Sequence, residues 1–175
     1  MDFDRSDSFN KQTLQEVAKK IPQLDVSSVE TLLTFIKTSY KVHSLIEENL
    51  GFYGLSPGRI RVLLVMYVEN DKYFTPSELA DKVGITRATV TGLLDGLVRD
   101  GIVERRNHPN DRRMVMIRLT HDGVKLLNRV LPPHYLLIAQ LMSGLNETER
   151  KSLVHLLEKI EQNLPDHAQT PVQEP

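Results

Sequence analysis

The sequence predicts a mainly α-helical protein that carries one small antiparallel β-hairpin. Three observations lead to this prediction. Apolar residues recur at the spacing of an amphipathic helix along most of the 175-residue chain. Residues 102–106 and 114–119 are instead β-prone, and in the second stretch apolar and polar side chains alternate as in a half-buried strand. A short loop that contains proline and asparagine joins these two stretches.

The chain begins with a polar segment. Residues 1–26 form an N-terminal extension that we expect to be partly disordered. Within it, residues 9–21 carry apolar side chains at helical spacing, which predicts either a frayed tail or a short helix packed on a dimer. A long helix follows over residues 27–49, and Ser27 and Glu30 are predicted to form its capping box.

The next helix is predicted to begin at Ser56, with Pro57 at its first position, where the missing N–H costs nothing. Its apolar residues face inward, whereas Arg59 and Arg61 are expected to point to solvent. The pair Tyr73-Phe74 is β-prone and predicts a third strand beside the hairpin.

Residues 75–100 predict two helices joined by a tight turn. Thr75 and Glu78 form a capping box at the start of the first helix. Gly84 stands where a helix commonly ends on glycine, and Thr86 caps the second helix. The core-facing residues of the second helix recur at helical spacing and are Val90, Leu93, Leu94, Leu97 and Val98.

The opposite face of this second helix is small and hydrogen-bonding. Such a face is either simply solvated or suited to approach base edges and phosphates of duplex DNA in the major groove. We expect the second, with Arg87 as the main reader because arginine pairs bidentately with guanine. The residues predicted to face DNA are Thr86, Arg87, Ala88, Thr89, Thr91, Gly92 and Asp95.

Positive charge is concentrated in the hairpin. Residues 99–118 contain six arginines against three acidic residues, in a chain whose net charge is −1. Arg106, Arg112 and Arg113 are predicted to contact DNA, with Arg113 in a minor groove and Asp111 orienting a neighbouring arginine. The alternatives are an ordinary surface ion pair at Asp111 and a bracing role for Arg105 or Arg106. Two helices, a turn and this hairpin together predict a winged helix–turn–helix.

The last part of the chain predicts further helices. Thr120 caps the first of them, and Pro132-Pro133 is expected to kink or break it. Asn146 and Glu149 form a capping box for the final helix. Its apolar stripe has no evident partner within its own chain, which favours burial in a second copy, and contains Leu153, Leu156, Leu157, Ile160 and Leu164. Residues 165–175 are expected to be a disordered tail.

Composition excludes several kinds of site. The absence of cysteine rules out disulfides and thiolate metal sites. His43 and Glu47 stand four apart, but the histidines lack ligand spacing, so we expect no metal and no cofactor. We also expect no enzyme, because no nucleophile, phosphate-binding or metal-hydrolase motif occurs. No apolar run reaches the length of a membrane span and no signal peptide is recognisable, which predicts a cytoplasmic protein.

The segments TVTGLLD (89–95), GIVERR (101–106), DRR (111–113) and LT (119–120) resemble the signature of the multiple-antibiotic-resistance regulator (MarR) family. The resemblance covers roughly residues 27–164. It implies a homodimeric, ligand-responsive transcriptional regulator, expected to be a repressor, that binds a pseudopalindromic operator through helix 86–100 and wing 102–119. It also implies a helical dimerisation region (27–55 and 120–164) and a winged helix–turn–helix lobe (56–119). A winged helix used only for protein–protein contact is the alternative.

The resemblance further implies an effector pocket between the helical arm and the winged helix. The residues of this sequence that map there form a partly aromatic set, which is either pocket lining or plain core. They are Tyr40, His43, Phe52, Tyr53, Met66 and Tyr67. The N-terminal extension and the stretch VLPPH (130–134) resemble the multidrug-efflux repressors of the family, which implies a small lipophilic or phenolic effector.

Overall fold

The computed structural model describes residues 11–69, 72–107 and 114–165. These residues contain seven helices and a two-stranded antiparallel sheet. The chain divides into two compact units, the first ending at Val130 and the second beginning at Leu131. The predicted fold class is therefore confirmed. None of the helices in the described ranges has the length and apolarity needed to cross a membrane.

Two helices precede the helix–turn–helix. Helix α1 (Lys11–Lys20) packs against α2 (Val26–Gly51), and Leu14 is its buried residue. The predicted capping box of Ser27 and Glu30 is wrong. The N-cap is Asp25, whose Oδ1 accepts hydrogen bonds from the backbone N–H groups of Ser27 (3.0 Å) and Ser28 (3.3 Å). An ionised carboxylate two residues earlier satisfies the free N–H groups of the first turn, so the helix begins there.

Helices α3 (Pro57–Val68), α4 (Pro76–Val83) and α5 (Arg87–Arg99) form the core of the first unit. The Thr75–Glu78 capping box is present in both directions, and Gly84 ends α4 at φ 73°, a left-handed conformation that glycine adopts without a Cβ penalty. The side chains that fix the packing are almost fully buried, and they include Ile60, Leu63, Met66, Leu79, Val90, Leu94 and Leu97.

The hairpin consists of β1 (Val103–Asn107) and β2 (Val115–Leu119), paired so that Val103 lies opposite Leu119. Ile117 and Leu119 are buried, as the alternation predicts. The predicted third strand is a single β-bridge, in which Phe74 and Ile117 exchange two backbone hydrogen bonds of 2.8 and 2.7 Å. This bridge fastens the base of the wing to the segment that leads into α4.

Helix α6 (His121–Leu141) contains Pro132 and Pro133 in its interior, so the predicted break is wrong. Each proline removes one N–H donor and crowds the carbonyl four residues earlier, but the helix continues through both positions. Helix α7 (Glu147–Gln162) begins with the predicted Asn146–Glu149 capping box. None of its residues is buried in the chain by itself.

Candidate nucleic-acid interface

The register of α5 is set by its core face. Val90, Leu94 and Leu97 have no exposed surface, so the face on the other side of the helix must point outward. The hydroxyl of Thr86 accepts from the backbone N–H of Thr89 (3.2 Å) and caps the helix. The seven residues predicted to face DNA are all exposed, and they lie together along the outer face of α5 from its N-terminus. Contact of these residues with DNA stays a prediction.

Gly92 lies in the middle of this outer face. A Cβ atom at Gly92 would meet nothing within 4 Å, so packing inside the protein does not require glycine there. A glycine in a helix interior nevertheless costs about 0.5–1 kcal/mol relative to alanine. No contact in the described part of the protein therefore accounts for the glycine at position 92.

Asp95 and Arg105 join the outer face of α5 to the first strand of the wing. The Arg105 Nη2 donates to Asp95 Oδ1 at 2.5 Å. Both side chains are partly exposed, with 37% of Arg105 and 51% of Asp95 accessible. The sequence suggested that one of the two adjacent arginines braces the wing, and the structure assigns that contact to Arg105. The carboxylate of Asp95 is thereby held beside the wing rather than left free.

A second cluster lies on the outer side of the hairpin, around the ring of Tyr73. The guanidinium of Arg118 stands 4.9 Å from the ring centre and that of Arg106 stands 5.8 Å from it. Glu104 Oε1 accepts from Arg118 Nε at 3.0 Å and forms an ion pair with Arg106 Nη2 at 3.3 Å. Desolvation raises the pKa of Glu104, but the hydrogen bonds and positive charge of Arg118 and Arg106 outweigh it, and the pKa is lowered. The cluster therefore places two arginines of the wing beside one aromatic ring and one carboxylate.

Arg106 is the more accessible member of this cluster, with 60% of its side chain exposed. Its guanidinium can therefore reach a phosphate while it remains near Glu104. The other predicted wing contacts, Asp111, Arg112 and Arg113, lie outside the described residues. No feature of the sequence singled out Tyr73 as the support of the wing arginines. The available signal was that Tyr73, an aromatic residue, comes immediately before Phe74, which forms the β-bridge with Ile117.

The residues predicted to line an effector pocket occupy different environments. Met66 is buried in the core at 2% exposure, whereas Phe52 is 80% exposed and Tyr40 is 52% exposed. Tyr53 and Tyr67 both contact the first part of α6. The Tyr67 hydroxyl donates to Asn128 Oδ1 at 2.5 Å, and Arg129 stands 6.0 Å from the centre of the Tyr53 ring.

His43 is exposed on α2, and its Nδ1 lies 3.4 Å from Glu47 Oε2. This pair has the four-residue spacing of two groups on one helical face. Within residues 11–69, 72–107 and 114–165, no group of three or more His, Asp or Glu side chains is placed to hold a metal ion. The pair is a solvent-exposed ion pair when the imidazole is protonated.

Comparison with known proteins identifies the family. The model of the MarR family matches residues 53–114, which include α3, α4, α5 and β1. The HTH-type transcriptional repressor YetL of Bacillus subtilis (strain 168) is 35% identical over 144 residues, which cover 82% of this chain and 86% of YetL. The chain belongs to the MarR family. A second relative, the transcriptional repressor MprA of Escherichia coli (strain K12), is 33% identical over 107 residues, 61% of each chain.

Solved structures agree with the MarR assignment at the level of the fold. Sco3205 of Streptomyces coelicolor, a MarR family transcriptional regulator crystallised in complex with DNA, matches with a TM-score of 0.68 and 24% identity. The match covers 85% of this chain and 94% of Sco3205. The protein is therefore a MarR-family member with a winged helix–turn–helix, in which α4 and α5 form the helix pair and β1 and β2 form the wing.

Proposed function

We propose that this MarR-family protein is a homodimeric, ligand-responsive transcriptional repressor that binds a pseudopalindromic DNA operator through α5 and the wing. The observation that carries the proposal is the exposed N-terminal face of α5. Arg87 lies there in the open and, among the described residues, forms no ion pair with a carboxylate. A cation held on a rigid helix beside small residues is suited to enter a major groove and pair with a guanine.

The wing supports the same proposal. Arg106 is exposed beside Tyr73, and the ion pair between Asp95 and Arg105 links the wing to α5. The outer face of α5 and the wing can therefore present a major-groove reader and a basic hairpin together. The relatives YetL and MprA are named as transcriptional repressors, and Sco3205 was crystallised with DNA. These names support repression of transcription over a purely protein-binding role.

A twofold dimer would account for the exposed apolar residues of α7. Leu153, Leu156 and Ile160 are 39%, 55% and 41% exposed, and their spacing places them on one face of the helix. Soluble proteins seldom leave a contiguous apolar stripe in water. A second copy would cover the stripe symmetrically and would set two α5 helices about 34 Å apart, one helical turn of DNA. The operator would then contain two inverted half-sites with that spacing.

The effector is proposed to bind near Tyr53 and Tyr67, where the loop after α2, helix α3 and the first part of α6 contribute side chains. A small phenolic or lipophilic molecule would stack on the two tyrosine rings. It would also compete for Asn128 Oδ1, the side-chain oxygen that accepts a hydrogen bond from the Tyr67 hydroxyl at 2.5 Å. Such a ligand would release DNA only if it bound the DNA-incompetent conformation more tightly.

The test is selection of bound sequences from a random duplex library with the full chain. We expect an inverted repeat whose half-sites are about 10 base pairs apart. Affinity for the selected duplex should fall steeply with salt, because bound phosphates release counterions. Enrichment of no motif, with equal affinity for selected and random duplexes, would contradict operator recognition and favour a protein-binding winged helix. Thermal shifts with a panel of substituted phenols, repeated on Tyr67→Phe, test the effector separately.

A further inference from the structure

The sequence predicted that Arg59 points to solvent, and this prediction is wrong. Its side chain is 23% exposed and lies against the C-terminal end of α5. The Nη1 atom donates to Asp100 Oδ2 at 2.8 Å and to the backbone carbonyl of Gly54 at 3.2 Å. One guanidinium thus connects the loop after α2 to Asp100, the residue that caps α5 and lies 41 positions after Arg59.

Gly96 makes room for this guanidinium. A Cβ atom at Gly96 would lie 2.2 Å from Arg59 Nη2 and 3.1 Å from Cζ, and Gly96 is buried. Glycine is a poor helix former in an interior position, so its presence in α5 has a specific packing reason here. We call Arg59, Gly54, Gly96 and Asp100 the Arg59 clamp.

The clamp acts at the end of α5 remote from its DNA-facing N-terminus. The last turn of a helix carries carbonyl groups with partial negative charge, which a nearby cation stabilises. At its other end α5 is positioned by Gly84 and the three-residue turn from α4. A change in the position of one end tilts the whole 13-residue helix and shifts its outer face relative to the wing.

We propose that Arg59 is a positioning residue that sets the angle at which α5 is presented to the DNA. This inference rests on the proposed function, because it concerns how well the recognition face fits an operator. Arg59 itself contacts no base. A single exposed ion pair would have little influence on structure. The two acceptors, Asp100 and Gly54, are exposed, but the Arg59 side chain is only 23% exposed, binds both of them and occupies the space above the buried Gly96.

Gly96→Ala is the sharpest perturbation. The atom that the new methyl group meets is the far end of a flexible side chain, so Arg59 can move aside while the backbone of α5 stays helical. Alanine also favours the helix more than glycine does, so the melting temperature should be unchanged or higher. Affinity for the duplex selected by the wild-type protein should nevertheless fall about tenfold, the effect of misaligning a base contact, and affinity for a scrambled duplex should change less than about twofold.

Four further variants make the result specific. Gly51→Ala is the matched control, because Gly51 is the last residue of α2 and a Cβ there meets nothing within 4 Å. It should bind the selected duplex like the wild type. Arg59→Ala should repeat the loss caused by Gly96→Ala, and the double variant should lose no more, since both remove one interaction. Arg59→Lys should restore part of the affinity, because an ammonium group can reach only one acceptor well.

The outcomes separate the clamp from the proposed function. Wild-type affinity and specificity in both Gly96→Ala and Arg59→Ala would overturn the clamp, as would equal losses on selected and scrambled duplexes. A wild-type protein that fails to discriminate any duplex would overturn the proposed function instead. Amide hydrogen exchange in the free protein then tests, without DNA, whether Arg59 stabilises the C-terminal end of α5. We expect faster exchange at residues 97–101 in Arg59→Ala than in the wild type, and unchanged exchange there would overturn the inference.

Discussion

Truncation of Leu156 tests the proposed dimer most directly. Leu156 lies on α7 with 55% of its surface exposed in the single chain, and Leu153 and Ile160 flank it on the same face. Complete burial of a leucine side chain is worth about 1.5–3 kcal/mol, so burial of the remaining half is worth roughly 1 kcal/mol. A twofold interface contains the residue twice, which brings the loss for Leu156→Ala to about 2 kcal/mol per dimer. The dimer dissociation constant should rise roughly 30-fold.

Sedimentation velocity over a concentration series measures this constant. The wild-type protein should sediment at micromolar concentration with about twice the 20.0 kDa chain mass. Val68→Ala serves as the control, because Val68 is 80% exposed at the end of α3 and lies outside the proposed interface. It should leave the dissociation constant unchanged. A wild-type monomer, or equal constants for Leu156→Ala and the wild type, would refute the reasoning that α7 is an interface.

Three other perturbations address DNA binding and the wing. Arg87→Ala should cost about 1–3 kcal/mol on the selected duplex and less on a scrambled one, with stability within about ±0.5 kcal/mol, as measured by fluorescence anisotropy and thermal melting. Equal losses on the two duplexes would place Arg87 on a phosphate. Arg113→Ala should lower the slope of log K against log salt by about one and relax A·T preference beside the half-site, and an unchanged slope would argue against a DNA contact. The lowered pKa of Glu104 means that its ionised form stabilises the wing above its ordinary pKa of 4.5 and that this stabilisation is lost as pH falls below it. The urea midpoint should therefore depend less on pH below about 4.5 in Glu104→Gln than in the wild type, and identical acid profiles would show that the Arg118 contact does not contribute.

Local patterns in the sequence determined the helix–turn–helix and the wing. The capping box at Thr75, the glycine at position 84 and the cap at Thr86 all lie within one helical turn of the helix end they define. The periodicity of Val90, Leu94 and Leu97 set the register of α5, and the alternation in β2 set the inward face of the wing. These features were predictable because each depends on neighbours three or four residues away in a helix, or two residues away in a strand.

Only the tertiary structure decided which charged side chains meet. Arg59 lies 41 residues from Asp100, and Arg105 meets Asp95 because the turn after α5 folds the first strand of the wing back onto it. Periodicity reports whether a side chain faces the core or the solvent, but a long arginine at the margin can do either. Its position depends on the distance to a carboxylate on another element and on the free space beside a glycine such as Gly96. Those quantities exist only after the helices have packed, which is why the sequence alone placed Arg59 in solvent and the folded protein places it against the C-terminal end of α5.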